Sequence, residues 1–88
     1  MEFAPNQTPI KATITELFNE NKEVKIVIIE LPSNGNYPGF LSVGKILTAK
    51  VLSHNTDYKL EDVISAEIEV SGGPFKQVYK LHHVSTNS

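Results

Sequence analysis

Apolar and polar residues alternate with a period of two along most of this chain. In "ISAEIEVS" (64–71), Ile64, Ala66, Ile68 and Val70 alternate with Ser65, Glu67, Glu69 and Ser71. Successive side chains of a strand point to opposite faces, so this segment predicts a strand with one buried face. "IKATITEL" (10–17) repeats the pattern, setting Ile10, Ala12 and Ile14 against Lys11, Thr13 and Thr15. In "GKILTAKVLS" (44–53), Leu47, Ala49 and Val51 share one face while Ile46, Thr48, Lys50 and Leu52 share the other. "VKIVIIEL" (24–31) is apolar and β-branched on both faces, which predicts a central strand covered on both sides. "KQVYKLHHV" (76–84) is the last strand. Ile28, Val51 and Ile68 are the expected core of three central strands.

The connections are polar or rich in turn formers. "FNENKE" joins the first two strands, "NGNYPGF" (34–40) follows the second, and "GGPF" reads as a four-residue turn before the last strand. With that turn, Ile68 faces Tyr79, Ala66 faces Leu81 and Glu67 faces Lys80; a register two residues away sets Glu69 against Lys80 or Lys76 instead. Either way glutamates meet lysines across the hairpin. "NTDYKLEDV" (55–63) is ambiguous: Asn55, Thr56 or Asp57 can cap a single helical turn near 56–63.

Five short strands with at most one helical turn predict an all-β protein, a small five-stranded antiparallel barrel. Closure removes the edges that flat strands would leave exposed. The slot for a helix after the third strand favours an OB-like barrel over an SH3-like one. The barrel is expected over 10–84, between a flexible arm at 1–9 and a polar tail at 85–88.

Composition narrows the chemistry. At 88 residues the chain has room for one core. It has no cysteine, which excludes disulfides, thiolate metal sites and thiol nucleophiles. All eight basic residues are lysine and the net charge is −2, so the whole molecule has no attractive field for nucleic acid and none of the arginine forks that read phosphates and base edges. "MEFAPNQTPIK" lacks the basic and apolar regions of a signal peptide, which points to a cytoplasmic protein.

No motif for catalysis or a cofactor is present: there is neither a P-loop nor a Rossmann fingerprint, and no serine lies in a G-x-S-x-G setting. His82 and His83 are neighbours and would point to opposite faces of a regular strand, so they do not form a metal site. The expectation is a binding protein and not an enzyme, with no cofactor and no metal.

The aromatic residues divide by context. Phe40, Phe75 and Tyr79 suit the core, whereas Tyr37 and Tyr58 sit among polar loop residues and read as exposed. Tyr37 is either a lid on the core or a contact residue, and the bend at Pro38 and Gly39 favours the lid. The first functional reading is a module acting through protein–protein contacts by Tyr37, Phe40 and Tyr58. The alternative is single-stranded nucleic-acid binding through Lys50, Tyr58, Lys76, Lys80 and His82. A third is capture of a small anionic ligand, such as a nucleotide, between protomers of a homo-oligomer.

"PIKATI" near the start, "IIEL" followed by "NYP", and "EIEV…VYKLHHV" give the chain a layout similar to the small single-stranded-DNA-binding proteins of filamentous phages. The resemblance implies an OB-like barrel and binding to single strands. The long basic hairpin of those proteins has no counterpart in "FNENKE" and their arginines are missing, so no residue role follows from it.

Overall fold

The computed structural model describes residues 7–33, 35, 37, 39, 41–52, 57–73 and 76–86. Each expected strand is present: β1 (Gln7–Phe18), β2 (Glu23–Glu30), β3 (Ile46–Val51), β4 (Val63–Gly73) and β5 (Lys76–Thr86). They close into a barrel in the order β1-β2-β3-β5-β4. The run β4-β1-β2-β3 is a Greek key, and β5 fills the gap between β3 and β4, as in an OB-like barrel. All seams are antiparallel except one. β3 and β5 run parallel through Ala49–Tyr79, Lys50–Lys80 and Val51–Leu81.

β1 serves two neighbours, β2 along one edge and β4 along the other. Register shifts at Lys11/Ala12 and Ile14/Glu16 interrupt its pairing with β2. Such bulges bend a strand and increase its twist, which closure of so small a barrel requires.

The period-two pattern is realised in the core. Ile10, Ala12 and Ile14 of β1, Val24, Ile26 and Ile28 of β2, Leu47, Ala49 and Val51 of β3, and Ile64, Ala66 and Ile68 of β4 are buried together. Leu81 and Val84 of β5 complete the lining, so the expected core positions Ile28, Val51 and Ile68 are all interior.

Several details depart from the sequence expectations. β2 is buried on one face and not two, because the outer face of this barrel carries no second layer: Val27 is half-buried and Ile29 is 42% exposed. The barrel also reaches further than 10–84. Gln7, Thr8 and Pro9, expected in the arm, pair with Glu69, Ile68 and Glu67. At the other end Ser85 and Thr86 pair with Ser65 and Ile64. The last hairpin takes the second of the two registers. Gly72 and Gly73 continue β4, so Ile68 faces Leu81 and Glu69 faces Lys80.

No helix occurs among the described residues of 55–63. There the chain makes a turn in which Asp62 N–H donates to Lys59 O (3.1 Å) and Lys59 N–H donates to Asp62 Oδ2 (2.8 Å). Glu61 has φ 71°, a left-handed conformation that cannot continue a right-handed helix. Glu61 N–H then donates to Ile14 O at 2.7 Å and Ile14 N–H to Asp62 O at 3.0 Å, extending the β1–β4 seam.

This turn delivers Tyr58 to the interior. Tyr58 was expected at the surface, but it is 1% exposed and is the largest fully buried side chain. Its hydroxyl donates to Asn21 O in the β1–β2 turn, which satisfies the one polar atom of the ring. Tyr37 and Tyr79 are half-buried and pack against the same core. Phe40 and Phe75, expected in the core, lie outside the described residues.

Candidate functional site

The outer face of β2, β3, β5 and β4 carries a row of charge across the sheet. Glu23 is registered with Lys50, Lys50 with Lys80, and Lys80 with Glu69. Lys50 and Lys80 become direct neighbours only because β3 and β5 meet at the parallel seam. Lys50 and Lys76 also line a shallow depression of about 260 Å³ together with Glu23, Thr48, Gln77, Val78 and Tyr79. Tyr79 Oη donates to Gln77 Oε1 at 3.1 Å along its wall.

By register alone this row would be two ion pairs, Glu23–Lys50 and Glu69–Lys80. The side chains choose other partners. Glu23 Oε1 accepts a hydrogen bond from Asn19 Nδ2 at 2.7 Å. Glu69 Oε1 lies 2.6 Å from His82 Nε2. Elsewhere on the barrel lysines do pair with carboxylates, Lys25 with Glu16 at 3.2 Å and Lys11 with Glu30 at 3.8 Å. Among the described residues Lys50, Lys76 and Lys80 make no ion pair.

The histidines explain part of this arrangement. The β4–β5 register slips between Ser65 and Glu67, leaving an extra residue on β5. His83 sits there with φ 54°. The bulge breaks the alternation that would send His82 and His83 to opposite faces, and both rings meet glutamates of β4. His83 Nε2 lies 3.7 Å from Glu67 Oε2, and the two ring centroids are 6.4 Å apart. No cluster of three metal-ligating side chains occurs among the described residues.

Of the residues expected in a nucleic-acid site, Lys50, Lys76 and Lys80 are brought together, and His82 adjoins them. Tyr58 is not: it lies in the core, and burial pushes its hydroxyl pKa up from 10.0. Its loss also weakens the set expected for a protein partner. Of that set Tyr37 packs on the core and Phe40 lies outside the described residues.

Two surface features were not anticipated. Val27 and Ile46 are registered neighbours on the outer face, and Ile29, Ile46 and Val43 are 42%, 58% and 63% exposed, Val43 preceding Gly44, whose N–H donates to Ile28 O. A wider groove of about 690 Å³ runs past Pro9, Leu31 and Pro32, rimmed by the Lys11–Glu30 and His83–Glu67 pairs. Alternation flags Ile46 as outward-facing, but no local signal marks the groove, which is assembled from β1, β4, β5 and the segment after β2.

Comparison with known proteins finds no matching family model, no matching curated protein and no matching solved structure. No helix among the described residues is long and apolar enough to cross a membrane.

Proposed function

We propose that this protein is a non-enzymatic OB-like binding module that takes single-stranded nucleic acid across the outer face of β3 and β5. The observation that supports this reading is the gathering of Lys50, Lys76 and Lys80 on one surface with no carboxylate partner among the described residues. Two adjacent ammonium groups repel one another unless an anion lies between them. A phosphodiester backbone crossing the sheet supplies that anion repeatedly, and OB-like barrels commonly hold oligonucleotides on the sheet face that includes β2 and β3. The net charge of −2 gives no long-range steering, so affinity must come from local contacts.

The test is fluorescence anisotropy of a labelled oligothymidylate titrated at several salt concentrations. Three phosphate contacts give a slope of log K against log salt of about −2, from roughly −0.7 per contact for single strands. The combined variant Lys50→Ala/Lys76→Ala/Lys80→Ala should lose this binding while keeping the β-type circular dichroism spectrum. Salt-independent binding, or binding unaffected by the triple substitution, would sink the reading. A mononucleotide binding as tightly as the oligomer would favour the small anionic ligand instead.

The exposed apolar side chains Ile29, Val43 and Ile46 support a second reading, contact with a protein partner. Under that reading Ile46→Glu abolishes association while the lysine variants leave it intact.

A further inference from the structure

We infer that His82 is a positioning residue that keeps Lys80 open to phosphate by holding Glu69 away from it; this rests on the nucleic-acid reading above. The β4–β5 register sets Glu69 opposite Lys80 and Glu67 opposite His82. The observed partners are displaced along β5, by two residues for Glu69 and by one for Glu67, where the bulge lies. His82 takes Glu69 at 2.6 Å, and His83, turned outward by the bulge, takes Glu67 at 3.7 Å.

The Glu69–His82 contact is well sheltered, with each side chain 22% exposed. A lysine competing for Glu69 would have to displace a short, partly desolvated hydrogen bond, which is stronger than a solvent-exposed ion pair. Diagonal neighbours on adjacent strands lie within reach of long side chains, so the exchange needs no backbone movement. On the far side of the row Asn19 does the same for Glu23 and leaves Lys50 open. The consequence is that Lys80 is available because of the residue two positions after it. Without His82, Glu69 has Lys80 as its registered neighbour, and the two would pair.

Two measurements test this, one of them independent of nucleic acid. The first is a double-mutant cycle of Glu69→Gln and Lys80→Ala, read by urea denaturation, in the wild-type background and again with His82→Ala. The coupling should be indistinguishable from zero in the wild type and measurable in His82→Ala. Equal coupling in both backgrounds overturns the inference. The second is oligothymidylate binding. His82→Ala should weaken it about 2- to 5-fold, the range set by a surface ion pair competing for Lys80, and should make the salt slope shallower by roughly 0.7. Adding Glu69→Gln to His82→Ala should restore binding, and His82→Gln, whose amide still donates to Glu69, should keep it. If Lys80→Ala weakens binding while His82→Ala does not, the positioning role is wrong and the binding site stands. If the wild type binds no oligonucleotide at any salt concentration, the binding site itself is wrong.

Discussion

Glu69 stands opposite Lys80 in the β4–β5 register, yet its carboxylate meets His82 at 2.6 Å. Stability should follow the contact and not the register. We expect Lys80→Ala to change unfolding free energy by less than about 0.5 kcal/mol, since Lys80 has no ion-pair partner among the described residues. His82→Ala should cost about 0.5–1.5 kcal/mol through the lost hydrogen bond. Urea denaturation of the two variants side by side decides it, and a larger loss for Lys80→Ala would mean that Glu69 pairs with lysine in solution.

Ile28 and Ile68 are fully buried and Val51 is nearly so. Truncating either isoleucine to alanine should cost about 2–5 kcal/mol, the lost transfer energy plus the cavity. Val51→Ala removes two methyl groups and should cost about 1–3 kcal/mol. Near-neutral values at all three would contradict the inward face assigned to these strands.

Tyr58 supplies a pH signature. Burial raises its pKa above the ordinary 10.0, so above that pH the unfolded chain ionises its tyrosine while the folded protein keeps the proton. The stabilisation is fully present below pH 10 and is lost as the pH climbs from there through the folded-state value. Ultraviolet titration of tyrosinate absorbance should show one of the three tyrosines ionising late, and Tyr58→Phe should remove that late step. Tyr58→Phe should also cost about 0.5–1.5 kcal/mol through the lost hydrogen bond to the Asn21 carbonyl.

Gly72 has φ 115°, and a Cβ there would sit 2.3 Å from the Lys76 carbonyl oxygen. No side chain fits without moving the hairpin. Gly72→Ala should therefore destabilise the barrel by about 1–3 kcal/mol or more, measured as a drop in the denaturation midpoint. An unchanged midpoint would show that the β4–β5 hairpin adapts at little cost.

Tyr37 packs against the core as the lid reading expects. Tyr37→Ala should lower stability by about 1–3 kcal/mol and leave oligonucleotide affinity per folded molecule unchanged. Unchanged stability with lost binding would instead make the 34–40 loop a contact surface.

The strands were legible because alternation is a local property: Ile64, Ala66 and Ile68 reach the core by the same two-residue step that is visible in the letters. What lay hidden depends on closure. Lys50 and Lys80 become neighbours through a parallel seam between strands remote in the chain, and no spacing announces that. Tyr58 was misassigned because its segment is polar and helix-like, while its burial depends on the barrel interior it fills. The bulge at His83 was missed for a related reason: a left-handed conformation at a residue other than glycine is chosen by the pairing around it, and that choice turned two apparently opposed histidines onto one face.

The parallel β3–β5 seam also sets the order in which this protein can be made. As the chain leaves the ribosome, β1 to β4 can assemble into an open sheet, but β3 keeps a free edge until residues 79–81 arrive and β4 until it pairs with β5 from Lys76 onward. An open sheet with bare edges and an exposed apolar face is prone to pair with other chains. Pulse proteolysis of a chain truncated after Gly73 should find no protection, and protection of that truncated chain would refute this order. The open sheet of β1 to β4 is then the most aggregation-prone form of the molecule, and β5, which closes the barrel, also acts as its protection against self-association.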